Sequence, residues 1–131
     1  MPCDDSGEAA VTPPQVLVVD DSATIRQFIC LLLRRLGFAV LEAEDGLVAR
    51  RLLARALPAL VISDLEMPVN DGWELLAFCH AQHPGLPVLI VSGATPGRRP
   101  EIESWASGFL AKPFDLPRFR SEVERLVARV A

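Results

Sequence analysis

The sequence predicts an α/β domain built on a doubly wound, five-stranded parallel sheet, and three observations predict it. Short apolar runs rich in β-branched residues (Val16-Leu17-Val18-Val19, Leu60-Val61-Ile62, Val88-Leu89-Ile90-Val91) are too short for buried helices and unbroken, as strands covered on both faces are. Amphipathic helical patterns separate these runs, and a helical crossover brings the next strand back parallel to the one before it. The polar residues that interrupt the runs all fall at the carboxyl ends of the strands.

In chain order, residues 1–14 contain Pro2, Gly7, Pro13, Pro14 and the acids Asp4, Asp5 and Glu8. They lack the basic and apolar regions of a signal peptide and read as a flexible tail ahead of a single domain over 15–131. Gln15 to Val19 is the first strand, ending at Asp20-Asp21-Ser22. The following helix carries Ile25, Phe28, Ile29, Leu32, Leu33 and Leu36 on one face. Arg34 and Arg35 suit its last turn, and Gly37 supplies a left-handed stop. Phe38 to Ala43 alternates more and contains Glu42, so a less deeply buried second strand is expected. Asp45 caps a helix whose inner face is Val48, Leu52, Leu53 and Ala56, and Pro58 ends that connection.

The third strand begins at Leu60 and runs into Ser63-Asp64. A turn signal follows (Met67-Pro68, then Asn70-Asp71-Gly72), and then a helix using Leu75, Leu76 and Cys79, with Asp71 and Glu74 in capping-box spacing. Pro84-Gly85 breaks that helix. Pro87 to Val91 is the fourth strand, ending at Ser92-Gly93. Pro96, Gly97 and Pro100 make the next segment a poor helix, so that only Glu101 to Ala106 can form a turn or two. Phe109-Leu110-Ala111 is a short fifth strand leading into Lys112-Pro113-Phe114. Asp115 caps the final helix, which tolerates Pro117 in its first turn and buries Leu116, Phe119, Val123, Leu126, Val127 and Val130.

Composition narrows the function. The chain has 131 residues, enough for one domain with a substantial core, and 50% are hydrophobic. Acids outnumber bases 17 to 13, the net charge is −4, and the arginines are scattered, so no nucleic-acid surface is expected. Cys3, Cys30 and Cys79 have neither CxxC nor Cys/His spacing; Cys30 and Cys79 fall in apolar helical patterns and read as reduced core thiols of a cytoplasmic protein. No apolar run approaches the roughly 18 residues of a membrane span.

In a parallel sheet the carboxyl ends of the strands share one edge, where open α/β sheets hold their chemistry. Asp20 and Asp21 end the first strand, Asp64 the third, Ser92 the fourth and Lys112 the fifth. Three converging carboxylates repel one another, and a hard divalent cation relieves that; Mg²⁺ takes one or two carboxylates, keeps waters and shares its remaining positions with a phosphate. Asp64 is then placed as a nucleophile toward phosphorus. Lys112 supplies positive charge, and Ser92 with the Gly93 N–H supplies donors, which suits phosphoryl transfer, a reaction carried by positioning and charge neutralisation. Taken singly, Asp21 and Ser22 are helix caps and Lys112 a solvated lysine; together with Asp64 they make a site. His80 and His83 lie away from the strand tips and read as surface residues, Trp73 and Trp105 as packing or partner-contact residues, and Arg98-Arg99 as a solvated loop.

Asp20-Asp21, Ser63-Asp64 with Met67-Pro68 and Asp71-Gly72, Val91-Ser92-Gly93 and Lys112-Pro113-Phe114 together resemble the receiver domains of two-component response regulators, over about residues 15–131. The resemblance implies a flavodoxin-like sheet of order 2-1-3-4-5. It implies that Asp64 accepts a phosphoryl group from a phosphohistidine of a sensor histidine kinase or histidine phosphotransfer protein, and that a downstream protein effector reads the result. It also implies that Asp21 and Asp64 ligate Mg²⁺ directly, Asp20 mostly through water and Glu66 through its backbone carbonyl. Ser92 then reorients toward the phosphoryl group, Lys112 contacts one of its oxygens, Phe109 is the switch aromatic, and the Lys112–Pro113 bond is cis.

The chain departs from the family pattern in three places. Glu66 sets an acid two residues past the acceptor, where it is expected to alter the lifetime of the phosphorylated state. The stretch between Ser92 and Lys112 is short and has Trp105-Ala106 where Gly-Ala is usual, so a short or irregular fourth helix is expected. Phe109 lacks the hydroxyl of a tyrosine. The expected protein is a signalling switch with slow self-dephosphorylation and not a turnover enzyme. It is expected to carry no output domain and to be either stand-alone or part of a larger protein such as a hybrid kinase. The competing readings are a small haloacid-dehalogenase-like phosphohydrolase, a receiver-fold module that works without phosphorylation, and a flavodoxin-like cofactor binder. Against the last, the turn after the first strand has two acids and no glycine, which repels phosphate.

Overall fold

The computed structural model describes residues 13–65, 72–93 and 104–128. The strands are β1 (Gln15–Val19), β2 (Ala39–Ala43), β3 (Leu60–Ser63), β4 (Val88–Ser92) and β5 (Gly108–Ala111). The helices are α1 (Ala23–Arg35), α2 (Gly46–Arg55), α3 (Gly72–Gln82) and α4 (Leu116–Ala128). All strand pairs are parallel, in the order β2-β1-β3-β4-β5. Of the expected fourth helical segment, Glu101 to Ala106, residues 101–103 lie outside the described ones; among the described residues of that segment, 104 and 105 carry helical backbone.

Side chains alternate across the sheet with a period of two, and this sorts the core into two layers. Val16, Val18, Leu60, Ile62, Leu89, Val91 and Leu110 pack under Ile29, Cys30 and Leu33 of α1 and Phe119, Val123 and Leu126 of α4. Leu17, Val19, Val61 and Ile90 pack under Ala49 and Leu53 of α2 and Leu75, Leu76 and Cys79 of α3. The central strands are covered on both faces, while β2 is mostly half-buried, as its alternation implied.

Local signals set the helix ends. Ser22 Oγ accepts the Ile25 N–H, Asp45 Oδ1 the Val48 N–H and Asp115 Oδ1 the Arg118 N–H, each satisfying an otherwise orphaned first-turn donor. Gly37 stops α1 at φ 97°, a left-handed conformation that costs glycine little. Asp71, the expected partner of Glu74 in a capping box, lies outside the described residues.

Three expected core positions are corrected. Phe28 is 50% exposed, and its place in the core is taken by Cys30. The two sit on opposite flanks of the α1 stripe, roughly 160° apart, and packing decides which flank is covered. Leu116 is 54% exposed and, with Leu32, Leu36 and Pro117, lines a surface groove of about 800 Å³ between α1 and α4. Ala56 is exposed just beyond α2, and Ala49 is buried instead. Cys30 and Cys79 are buried free thiols, pushed up to about 11 by burial, hence inert core residues. Cys3 and Val130 lie outside the described residues. Among the described residues, no helix is long and apolar enough to cross a membrane.

Candidate functional site

Register brings the strand ends together. Val19 pairs with both Ala43 and Ser63, Ser63 with Ile90, and Ser92 with Ala111, so Asp20, Asp64, Ser92 and Lys112 all reach one edge. Carboxylate oxygens of Asp20, Asp21 and Asp64 lie within 4.8 Å of one another. Lys112 Nζ stands 3.2 Å from Asp20 Oδ2 and 3.5 Å from Asp64 Oδ2. Asp20 is buried, Asp64 partly so, and Asp21 is exposed at the mouth.

Asp20 and Asp64 are held by backbone as well as by charge. The Asp20 N–H donates to the Ala43 carbonyl, and Asp20 Oδ1 accepts the Ser22 N–H at 2.9 Å. The Asp64 N–H donates to the Val19 carbonyl at 3.1 Å, and Ser63 Oγ to the Asp64 carbonyl at 2.9 Å. The Lys112 N–H donates to the Ser92 carbonyl at 2.9 Å, which fixes where the lysine leaves β5; the Lys112–Pro113 bond is cis. Ser92 is buried at the end of β4, and the Phe109 ring is half-buried against the core. Glu66 lies outside the described residues.

Burial, the largest influence, raises the Asp20 carboxyl above its ordinary 3.8, against the Ser22 N–H and Lys112, which lower it; Asp64 adds to the rise. The folded metal-free protein therefore holds this proton more tightly than the unfolded chain. Its ionised Asp20 disfavours folding, and stability from this group falls as the pH rises from 3.8 through the raised value. Metal-free Asp20→Asn is accordingly expected to melt a few degrees above wild type at neutral pH, with the gain vanishing near pH 4; thermal unfolding across that range checks it.

An all-oxygen, acidic donor set of this kind fits a hard cation such as Mg²⁺. The same geometry lets one ammonium meet two carboxylates and sets its charge where it can neutralise an incoming anion at Asp64.

One contributor was missed in the sequence, and the packing role of another went unread. Arg26 Nη1 donates to the Asp20 carbonyl at 2.6 Å while its Nε meets Glu42 Oε1 at 3.0 Å; the arginine on α1 and the acid on β2 carry no local signal of that pairing. Gly72 opens α3 against the Asp64–Leu65 backbone with no room for a side chain, where the sequence showed only a turn. The histidines lie away from the site as expected, but not both as free surface: His80 stacks on Trp105 at 5.0 Å, and half-buried His83 meets the edge of Phe78 at 5.7 Å. Trp73 and Trp105 pack against the core.

Comparison with known proteins identifies the family. The chain is 33% identical over 124 residues to the transcriptional regulatory protein PrrA of Mycobacterium bovis, covering 93% of this chain and 53% of the relative. It is 36% identical over 105 residues to the transcriptional regulatory protein GlrR of Escherichia coli, covering 79% and 24%. It thus spans about half, or less, of the length of these curated relatives. Among solved structures, the chemotaxis protein CheY4 of Vibrio cholerae superposes with a TM-score of 0.79 at 32% identity, covering 87% of this chain and 98% of that one. The response regulator TrrA of Thermotoga maritima, solved in complex with Mg²⁺-BeF, superposes with a TM-score of 0.78 at 27% identity, covering 86% and 98%. Residues 16–124 match the family described as the response regulator receiver domain, and the chain belongs to that family.

Proposed function

We propose that this chain is a phosphoryl-accepting signalling switch. Asp64 takes a phosphoryl group from a phosphohistidine of a sensor histidine kinase or histidine phosphotransfer protein in the cytoplasm, and the modified domain changes its contact with a downstream protein. The observation that carries the reading is Lys112 Nζ standing 3.2 Å from Asp20 and 3.5 Å from Asp64 at the mouth of the three-acid cluster.

In the transfer, an Asp64 carboxylate oxygen forms a bond to phosphorus as the phosphorus–nitrogen bond of the phosphohistidine breaks. The electron pair returns to the imidazole, which takes a proton from solvent. Asp20, Asp21 and Asp64, with the Glu66 carbonyl, would hold Mg²⁺, which supplies positive charge against the phosphoryl oxygens. The Lys112 ammonium, shared between two carboxylates beforehand, turns to a phosphoryl oxygen. The Ser92 hydroxyl turns toward another, and the Phe109 ring follows it into the space released. Slow hydrolysis of the acyl phosphate resets the switch. The complex of TrrA with Mg²⁺-BeF supports the Mg²⁺ dependence.

Intact-protein mass after incubation with acetyl phosphate and Mg²⁺ tests the reading. One phosphoryl increment is expected on wild type and none on Asp64→Asn. Wild type that binds Mg²⁺ yet gains no mass would overturn the reading and leave a module that works without phosphorylation.

A further inference from the structure

Arg26 reaches from α1 to two places at once, the Asp20 carbonyl at 2.6 Å and the Glu42 carboxylate on β2 at 3.0 Å, and its side chain is only 15% exposed. The other polar groups of Asp20 are committed as well: its N–H to Ala43, Oδ1 to Ser22 and Oδ2 to Lys112. The carbonyl held by Arg26 belongs to the peptide joining Asp20 to Asp21. Because that peptide is planar, a donor fixed on its oxygen fixes its rotation, and with it the direction in which Asp21 leaves. Asp21 is exposed, and among the described residues no hydrogen bond holds its carboxylate. Its placement depends on the backbone beneath it.

We infer that Arg26, anchored by Glu42, is a positioning residue that orients the Asp20–Asp21 peptide so that the Asp21 carboxylate joins Asp20 and Asp64 around Mg²⁺. The inference rests on the Mg²⁺ site proposed above and deepens it. Electrostatics alone predicts the opposite effect, since a guanidinium beside an acidic cluster repels a cation and deleting it would tighten binding. Glu42 offsets that repulsion as well as anchoring the fork.

Calorimetric titration of the metal-free protein with Mg²⁺ separates these roles without using phosphorylation. Arg26→Met keeps much of the apolar stem and is expected to weaken Mg²⁺ about tenfold, the scale on which supporting groups affect metal affinity. Its thermal midpoint in the metal-free state should stay within about 3 °C of wild type. Arg26→Lys, which keeps a donor within reach of the carbonyl, should recover most of the loss. Unchanged or tighter binding in Arg26→Met overturns the inference while leaving the Mg²⁺ site standing. Weakening that lysine does not rescue, or that accompanies a large fall in the midpoint, makes Arg26 structural and also overturns it. Wild type that does not bind Mg²⁺ overturns both.

Discussion

Lys112→Met is expected to bind Mg²⁺ several-fold more tightly than wild type and yet to accept a phosphoryl group at least about 100-fold more slowly. The two effects have one cause. Lys112 is the cation facing both Asp20 and Asp64, at 3.2 and 3.5 Å, with its side chain 22% exposed. Removing it takes away a positive charge that both carboxylates face, so a divalent cation gains attraction that it had shared with the ammonium. In the proposed transfer, the transition state would lose a donor aimed where charge collects on the phosphoryl oxygens, and losses of that kind cost about 10²–10³-fold. Titration calorimetry and a mass-resolved time course with acetyl phosphate give the two numbers. A rate within about threefold of wild type would remove Lys112 from the transfer and make it a structural counter-ion to the acids. Methionine preserves the unbranched stem, so the comparison is of charge and not of packing.

How much of this could be read in the sequence follows from which signals are local. The apolar runs Val16–Val19 and Leu60–Ile62, and caps such as Asp45 and Ser22, depend on neighbours a few residues away, and the structure agrees with them. Asp20, Asp64, Ser92 and Lys112 were also legible, because each is a polar residue ending an apolar run, and parallel topology brings all such ends to one edge. Phe28 and Leu116 were misplaced for the complementary reason. Helical periodicity locates an apolar stripe, but it does not say which flank a neighbouring layer covers. Arg26 escaped notice because its partner Glu42 is sixteen residues away on another element. Gly72 was visible but misread: the need for it comes from the Asp64–Leu65 backbone passing against α3, a close approach that a turn signal does not encode.

That close approach yields the second large effect, the one expected for Gly72→Ala. On helix propensity alone, alanine near the start of α3 would stabilise the protein, by up to about 1 kcal/mol. The packing predicts the opposite sign. A Cβ at position 72 would overlap the Asp64 carbonyl oxygen and stand 2.5 Å from Leu65 Cα and 2.8 Å from the Asp64 carbonyl carbon. The three nearest obstacles are all backbone, so swinging a side chain aside does not relieve them, and carbon–carbon contact needs about 3.5–4.0 Å. Either α3 withdraws or the Asp64 turn moves. The first loosens Leu75, Leu76 and Cys79 from the core and pulls the Gly72 N–H off the Leu65 carbonyl, now 2.9 Å away. The second shifts Asp64 relative to Asp20 and Lys112. Overpacking of this kind costs about 1–3 kcal/mol or more, and a misplacement of about 1 Å at a reacting group costs about 10²-fold in rate. Urea unfolding and the phosphorylation time course together tell which part yields. Lost stability with near-normal transfer means the helix moved, and normal stability with slow transfer means the turn did. A variant at least as stable as wild type and equally fast would show that the backbone opens there without cost, and that Gly72 is needed by neither the fold nor the site.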